Sequence, residues 1–271
     1  MITNIIKDKS TKLFIFLGGF FIANAIIAEV IGVKIFSLED TIGIQPFNIP
    51  LFGHSFSFNL TAGVLLWPVV FIMTDIINEY YGERGVKFLS YLTVCLLAYA
   101  FIMYYFAIHL VPANWWPASK TTVGLNDMQA AFEQIFGQGI AIILGSLIAF
   151  LVGQVVDVVI FHEIKKRSGE KYIWLRSTGS TIVSQLIDSF VVVFIAFYFY
   201  PKYISESNGK PWPFALVMSI CIGNYIYKFF MAILLTPMIY IGHNMIEKYL
   251  GTALATEMKN AAIKDELKII E

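Results

Sequence analysis

The stretch Thr74-Asp75-Ile76-Ile77-Asn78-Glu79 closes an apolar run with two carboxylates, an amide and a hydroxyl. Spacings of three and four put Asp75, Asn78 and Glu79 on one face of a helix. Placing a carboxylate at bilayer depth costs roughly 2.5–3.5 kcal/mol on insertion scales, so such a group calls for a partner or a ligand. The same logic applies to Asn24 and Glu29, to Gln154 and Asp157, to Gln185 and Asp188, and to Asn224 and Lys228, each pair embedded in an apolar run. Carboxylates, amides and a lysine accept and donate hydrogen bonds and hold charge. They suit recognition of a polar solute.

Two arrangements answer the cost. In the first, Asn24, Glu29, Asp157, Gln185, Asp188, Asn224 and Lys228 line a polar substrate cavity at the membrane midplane. In the second they neutralise one another, Lys228 with Asp188 or Glu29. Asp75, Asn78 and Glu79 fall at the cytoplasmic end of their run, where Arg176 of a later loop would close an inner gate or clamp.

Motifs for covalent chemistry are missing. The chain has no G-x-x-x-x-G-K-[ST] with which to hydrolyse ATP, no H-E-x-x-H and no G-x-S-x-G. Its two cysteines, Cys95 and Cys221, sit in apolar runs without metal-ligand spacing. His109 and His162 fall at run ends and His54 in a loop, positions for interfacial side chains more than for ligands. No metal or cofactor is expected.

The elements that must carry these residues are helices. Hydrophobic side chains make up 58% of the 271 residues and charged ones 14%. An ordinary soluble domain carries about 25% charged residues, so this chain has too few to cover a water-facing surface. The expected fold is all-α, a polytopic membrane protein with six transmembrane helices near 13–36, 58–79, 87–112, 138–162, 179–200 and 214–241. Trp67-Pro68 would interrupt the second of these with a kink. The long loop 113–137 carries Asn114-Trp115-Trp116-Pro117, suited to a headgroup-level aromatic belt, and then a short amphipathic stretch.

Lysine and arginine set the direction. With both termini cytoplasmic, the inner side holds Lys7, Lys9, Lys12, Arg84, Lys87, Lys165, Lys166, Arg167, Lys171, Arg176, Lys248, Lys259, Lys264 and Lys268, against only Lys120, Lys202 and Lys210 outside. The chain thus divides into a cytoplasmic N-terminus (1–12), a transporter domain (13–241) and a cytoplasmic tail (242–271). Residues 23–25 (Ala-Asn-Ala) resemble a signal-peptide cleavage site, but the apolar run continues to Phe36 and favours a retained first span. In the tail, Ile246, Leu250, Leu254 and Met258 recur at helical spacing, which makes it amphipathic.

Longer blocks carry a family resemblance. WPVVFIMTDIINEYYGERG (67–85) and GQVVDVVIFHEIKKRSGEKYIWLRSTGSTIVSQLIDSFVVVFIAF (153–197) resemble the signatures of the queuosine-precursor transporter family, the putative vitamin uptake transporter family. ANAIIAEVIGVKIF (23–36) is similar in character to that family's first span. The resemblance implies an importer of 7-deazaguanine bases in the bacterial inner membrane, the cyano- and aminomethyl-substituted queuosine precursors, working without its own ATPase. Such a base presents N1–H and an amine as adjacent donors, which one carboxylate can accept together. Its O6 accepts from an amide such as Gln185, Asn24 or Asn224. On sequence, Asp188 or Glu29 is the carboxylate expected to read that edge.

Two other readings remain beside this one. The chain would be the substrate-binding subunit of an ATP-driven vitamin-type importer, or a membrane-embedded enzyme using Asp75, Glu79 and Arg176. Expected partners are a small-molecule substrate and the lipid bilayer, with homo-oligomerisation left open. A net charge of zero gives no basis for nucleic acid.

Overall fold

The computed structural model describes residues 8–51, 54–137, 139–168, 172–204 and 210–267. Residues 1–7, with Lys7, and the basic residues Lys171 and Lys268 used for orientation lie outside that set. Helices dominate. Among the described residues, five helices are long and apolar enough to cross a membrane.

Helix α1 (Lys9–Ile31) begins where Asp8 accepts from the backbone N–H groups of Ser10 and Thr11 and stops at Gly32. It therefore starts inside the segment expected to be N-terminal tail and ends before Phe36. The chain next forms a strand, β1 (Ile35–Ser37), and a short helix, α2 (Leu38–Thr41). Two further strands, β2 (Ile49–Leu51) and β3 (His54–Phe56), pair with each other. Strand β4 (Asn59–Thr61) returns to pair antiparallel with β1, Phe36 opposite Leu60. The helical fold expected from sequence is present, with two small sheets added to it, and the segment expected to open the second span is strand at residues 59–61. Three-residue strands leave almost no period-2 pattern in a sequence.

Helix α3 (Trp67–Ile108) runs over 42 residues and contains a break at Gly82, whose φ of 68° and ψ of −175° lie in a region open only to glycine. Contacts with α1 establish what the break does. Before it, a Cβ on Gly63 would lie 2.6 Å from the Ala28 carbonyl oxygen, while Tyr81 donates to the Ser10 carbonyl at 2.8 Å. This limb runs antiparallel to α1. After it, Leu89 packs on Gly18, further from the start of α1 than the Phe14–Tyr81 ring contact at 4.9 Å. The chain has turned back, and α3 is a hairpin of two limbs, 67–81 and 83–108. Pro68 sits in its first turn, where its missing N–H is not needed, so it starts the helix instead of kinking it.

The long loop carries α4 (Met128–Phe136), capped by Asp127, which matches the expected amphipathic stretch. Helices α5 (Ile140–Ser168) and α6 (Ile173–Phe194) follow. A wide π turn (Ile195–Phe199) and α7 (Tyr200–Tyr203) extend α6. Helix α8 (Phe214–Leu234) ends near Pro237, so the sixth expected span, 214–241, is split between α8 and α9 (Thr236–Leu250). After Gly251 comes α10 (Thr252–Leu267).

Apolar side chains face outward, among them Phe16, Ile27, Phe88, Tyr99, Ile102, Leu144 and Phe230. In contrast, α6 buries Arg176, Ser177, Ser180, Thr181, Ser184, Gln185 and Ser189. This polar-in, apolar-out arrangement is what a lipid solvent selects. Beneath the α3 hairpin, α9 and α10 bury the tail's apolar stripe: Ile246, Leu250 and Met258 join the main core, with Leu254 packed against it. The helical spacing across 246–258 is met by two helices separated at Gly251.

Candidate substrate cleft and inner clamp

A cleft lies where the first limb of α3, α6, α8 and the start of α9 converge. Trp67, Phe71 and Ile72 of α3 give it an apolar and aromatic wall. Asp75 stands one turn further along the same limb. Ser177, Thr181 and Gln185, four residues apart along α6, line the facing side, and Lys228 of α8 lies beside them. Asp75 accepts a hydrogen bond from Ser177 through Oδ2. Its Oδ1 has no hydrogen-bond partner among the described residues, and neither has the Gln185 amide nitrogen. Two residues that line the cleft beside its aromatic wall, Asp75 and Gln185, thus each keep a buried polar atom without a partner among the described residues.

Toward the α3 hairpin turn, Glu79 is held by two cations. Arg176 Nη2 donates to its Oε1 at 2.8 Å, and Lys165 Nζ stands 3.3 Å from Oε2. Arg176 and Glu79 are each 1% exposed, so this contact is not an interfacial pair reaching for water. The Arg176 guanidinium also lies 5.9 Å over the Phe161 ring. Asn78, one turn from Asp75, is buried with neither amide atom paired among the described residues.

The other expected site residues take different places. Lys228 forms an ion pair with Asp188, so one of the two neutralising pairings expected from sequence is present. Glu29 lies near Ser146 and Asp188. Asn24 spends its amide on the Phe20 carbonyl of its own helix, at 2.8 Å. Asn224 is half-buried on α8 and absent from the cleft wall. Asp157 is fully buried between α5 and α6, accepting from Ser184 at 3.0 Å. Of the seven residues expected to bind substrate, Gln185 and Lys228 face the cleft, and Asp75, expected in the gate, joins them.

Sequence reasoning passed over Lys165, read as a loop cation, and the hydroxyl row Ser177, Ser180 and Ser184. That row had a signal, small polar residues recurring at helical spacing inside an apolar run. It also passed over His243 in α9, buried and 3.2 Å from the Tyr80 hydroxyl. Burial holds this imidazole down to about 4, assisted by the charges of Lys259 and Arg176 and opposed by Glu79 and Glu247.

A multi-pass helical bundle with a buried polar cleft and no hydrolytic motif is the architecture of a membrane transporter. Residues 61–242 match the family model described as "Putative vitamin uptake transporter", which is more than half of the chain. The chain belongs to that family, a family of transporters and not of enzymes. It is 32% identical over 196 residues to a "Probable queuosine precursor transporter" of Bacillus subtilis (strain 168), covering 70% of this chain and 75% of the relative. It is 24% identical over 183 residues to a protein of the same name from Haemophilus influenzae, covering 68% of each. No solved structure matches the chain.

Proposed function

We propose that this protein imports 7-deazaguanine queuosine precursors, 7-cyano- or 7-aminomethyl-7-deazaguanine, across the bacterial inner membrane by alternating access. In this reading α1, the two limbs of α3, α5, α6 and α8 make six crossings, with both termini cytoplasmic. The names borne by the two relatives support the substrate class. The observation that carries the site is the pair of cleft-lining residues that each keep an unpaired polar atom, Asp75 (Oδ1) and Gln185 (Nε2).

The chemistry follows from those atoms. Asp75 accepts from N1–H and the exocyclic amine, and the Gln185 amide donates to O6. Trp67 and Phe71 cover the flat ring, as base-binding pockets generally do. Desolvated polar groups left unpaired are costly, so a solute lacking this edge is rejected. Both precursors carry the same edge, so this contact does not choose between them. Asp188 and Lys228 hold each other neutral behind the ring, with Glu29 and Asp157 in the next layer and Asn24 and Asn224 outside contact. The Glu79–Arg176–Lys165 cluster, with Asn78, closes the inner end.

The test is uptake of labelled 7-cyano-7-deazaguanine by cells unable to make it, with and without the protein. Protein-dependent uptake that unlabelled precursor outcompetes supports the reading. No uptake by protein shown to be inserted contradicts it, and uptake that appears only with a co-purifying ATPase transfers the chain to the substrate-binding-subunit reading.

A further inference from the structure

The cleft accounts for Asp75 and the clamp for Glu79, but Asp157 serves neither. It is 0% exposed, on α5 behind Asp75, and its Oδ2 has no hydrogen-bond partner among the described residues. Its neighbours are hydroxyls. Ser184 donates to its Oδ1 at 3.0 Å, and Ser180 and Thr181 of the same helix are also buried. Ser180 in turn donates to the Ser177 carbonyl at 3.0 Å, and Ser177 donates to Asp75. Ser177, Ser180 and Ser184 thus form a buried hydroxyl row on one face of α6, with one carboxyl group bonded at each end.

Charge is out of balance along this row. Asp75, Glu79 and Asp157 are buried acids, and the buried cations packed with them are Arg176 of α6 and Lys165 of α5. Other charged or titratable groups facing the set are Lys228 of α8, across the cleft and committed to Asp188, and His243 of α9, beside Glu79 and Arg176. An uncompensated buried charge is strongly destabilising. Three acids with two cations become neutral by holding one proton.

We propose that Asp157, which lies along the α6 serine row from Asp75, is the binding site of a coupling proton, making the protein a proton symporter. The inference rests on the substrate reading above, because substrate is what commits the proton. With the cleft open and wet, water solvates the carboxyls and both ionise. A deazaguanine entering the cleft expels that water, and its two donors hold Asp75 as the carboxylate. Asp157, now dehydrated and beside a fixed anion, takes one proton from water of the outer face onto Oδ2. Solute and proton are released together when the inner end opens, the proton returning to cytoplasmic water. By linkage, substrate affinity rises as pH falls through the range in which Asp157 titrates.

The experiment uses full-length protein in proteoliposomes, in two arms. In the first, labelled precursor is followed with an inward proton gradient, with an inward sodium gradient and with none, for wild type and Asp157→Asn. The asparagine keeps the shape and can still accept from Ser184 while removing the titration. The expected result is at least ten-fold accumulation under the proton gradient alone, lost in Asp157→Asn, which still exchanges labelled for unlabelled precursor. Accumulation indifferent to the proton gradient, or retained in the variant, overturns the proposal. The second arm needs no turnover: infrared spectra of membrane-embedded protein with bound precursor carry the carbonyl stretch of a protonated carboxyl, absent in Asp157→Asn. An unchanged band in the variant overturns the proton site. Wild type that does not exchange precursor at all contradicts the substrate reading, separately from either result.

Discussion

Arg176 and Glu79 meet at 2.8 Å across α6 and the first limb of α3, each only 1% exposed, with Lys165 completing the contact from α5. Three helices are thereby tied at one point just inside the α3 hairpin turn. Removing one partner of a buried ion pair leaves the other uncompensated, which typically costs about 3–5 kcal/mol. Arg176→Ala is therefore expected to lower the thermal midpoint of detergent-solubilised protein by several degrees. Lys165→Ala, which leaves the Arg176 bond intact, should cost less. Equal midpoints for wild type and Arg176→Ala would show that the cluster does not hold the bundle.

The hairpin itself depends on Gly82. Its backbone conformation costs a side-chain-bearing residue about 1–3 kcal/mol, while a Cβ there would meet Ala262 of α10 at an ordinary contact distance, 3.4 Å. Gly82→Ala should reduce stability by about that amount, read as a lower unfolding midpoint, while Gly19→Ala, where nothing lies within 4 Å, should be close to neutral.

Below the hairpin, α10 is docked by Ala255, Met258 and Ala262, and by Lys259, which pairs with Glu247 at 2.5 Å and lies 5.4 Å over the Tyr80 ring. His243 sits under this contact, with its folded-state value lowered from 6.5 to about 4 by burial. The unfolded or undocked state then binds more protons, so stability is full above 6.5 and declines as pH falls toward 4. Amide exchange in α10 should accelerate over that interval, and His243→Asn should flatten the dependence. Exchange that is level from pH 7 to 4 in wild type would contradict the assignment.

How much of this was legible beforehand follows from the kind of signal each feature leaves. Long apolar runs announced the helices, and buried charge announced Arg176, Glu79, Asp188 and Lys228, because at bilayer depth such residues need partners. Phase was not legible. Asp75 and Asp188 look alike in sequence, but Asp188 is spent on Lys228 while Asp75 faces a cleft, a difference fixed by how α3, α6 and α8 are rotated about their axes. Lys165 was hidden for a related reason: within a run of three basic residues, only one turns inward. The β1–β4 pair, three residues long, lies below any pattern threshold.

Within the cleft, Gln185 and Asp75 should contribute unequally. A hydrogen bond to a charged group is worth about 1.5–3 kcal/mol and a neutral one about 0.5–1.5. Gln185→Leu should therefore raise the uptake half-saturation concentration by roughly ten-fold or less, while Asp75→Asn loses saturable uptake over the accessible range.

Direct binding of 7-cyano-7-deazaguanine to purified protein is the decisive measurement, made by calorimetry on wild type, Asp75→Asn and Asp188→Asn. The account predicts saturable binding by wild type, no measurable binding by Asp75→Asn, and weakened but detectable binding by Asp188→Asn. Full binding by a folded Asp75→Asn would contradict the claim that Asp75 reads the base.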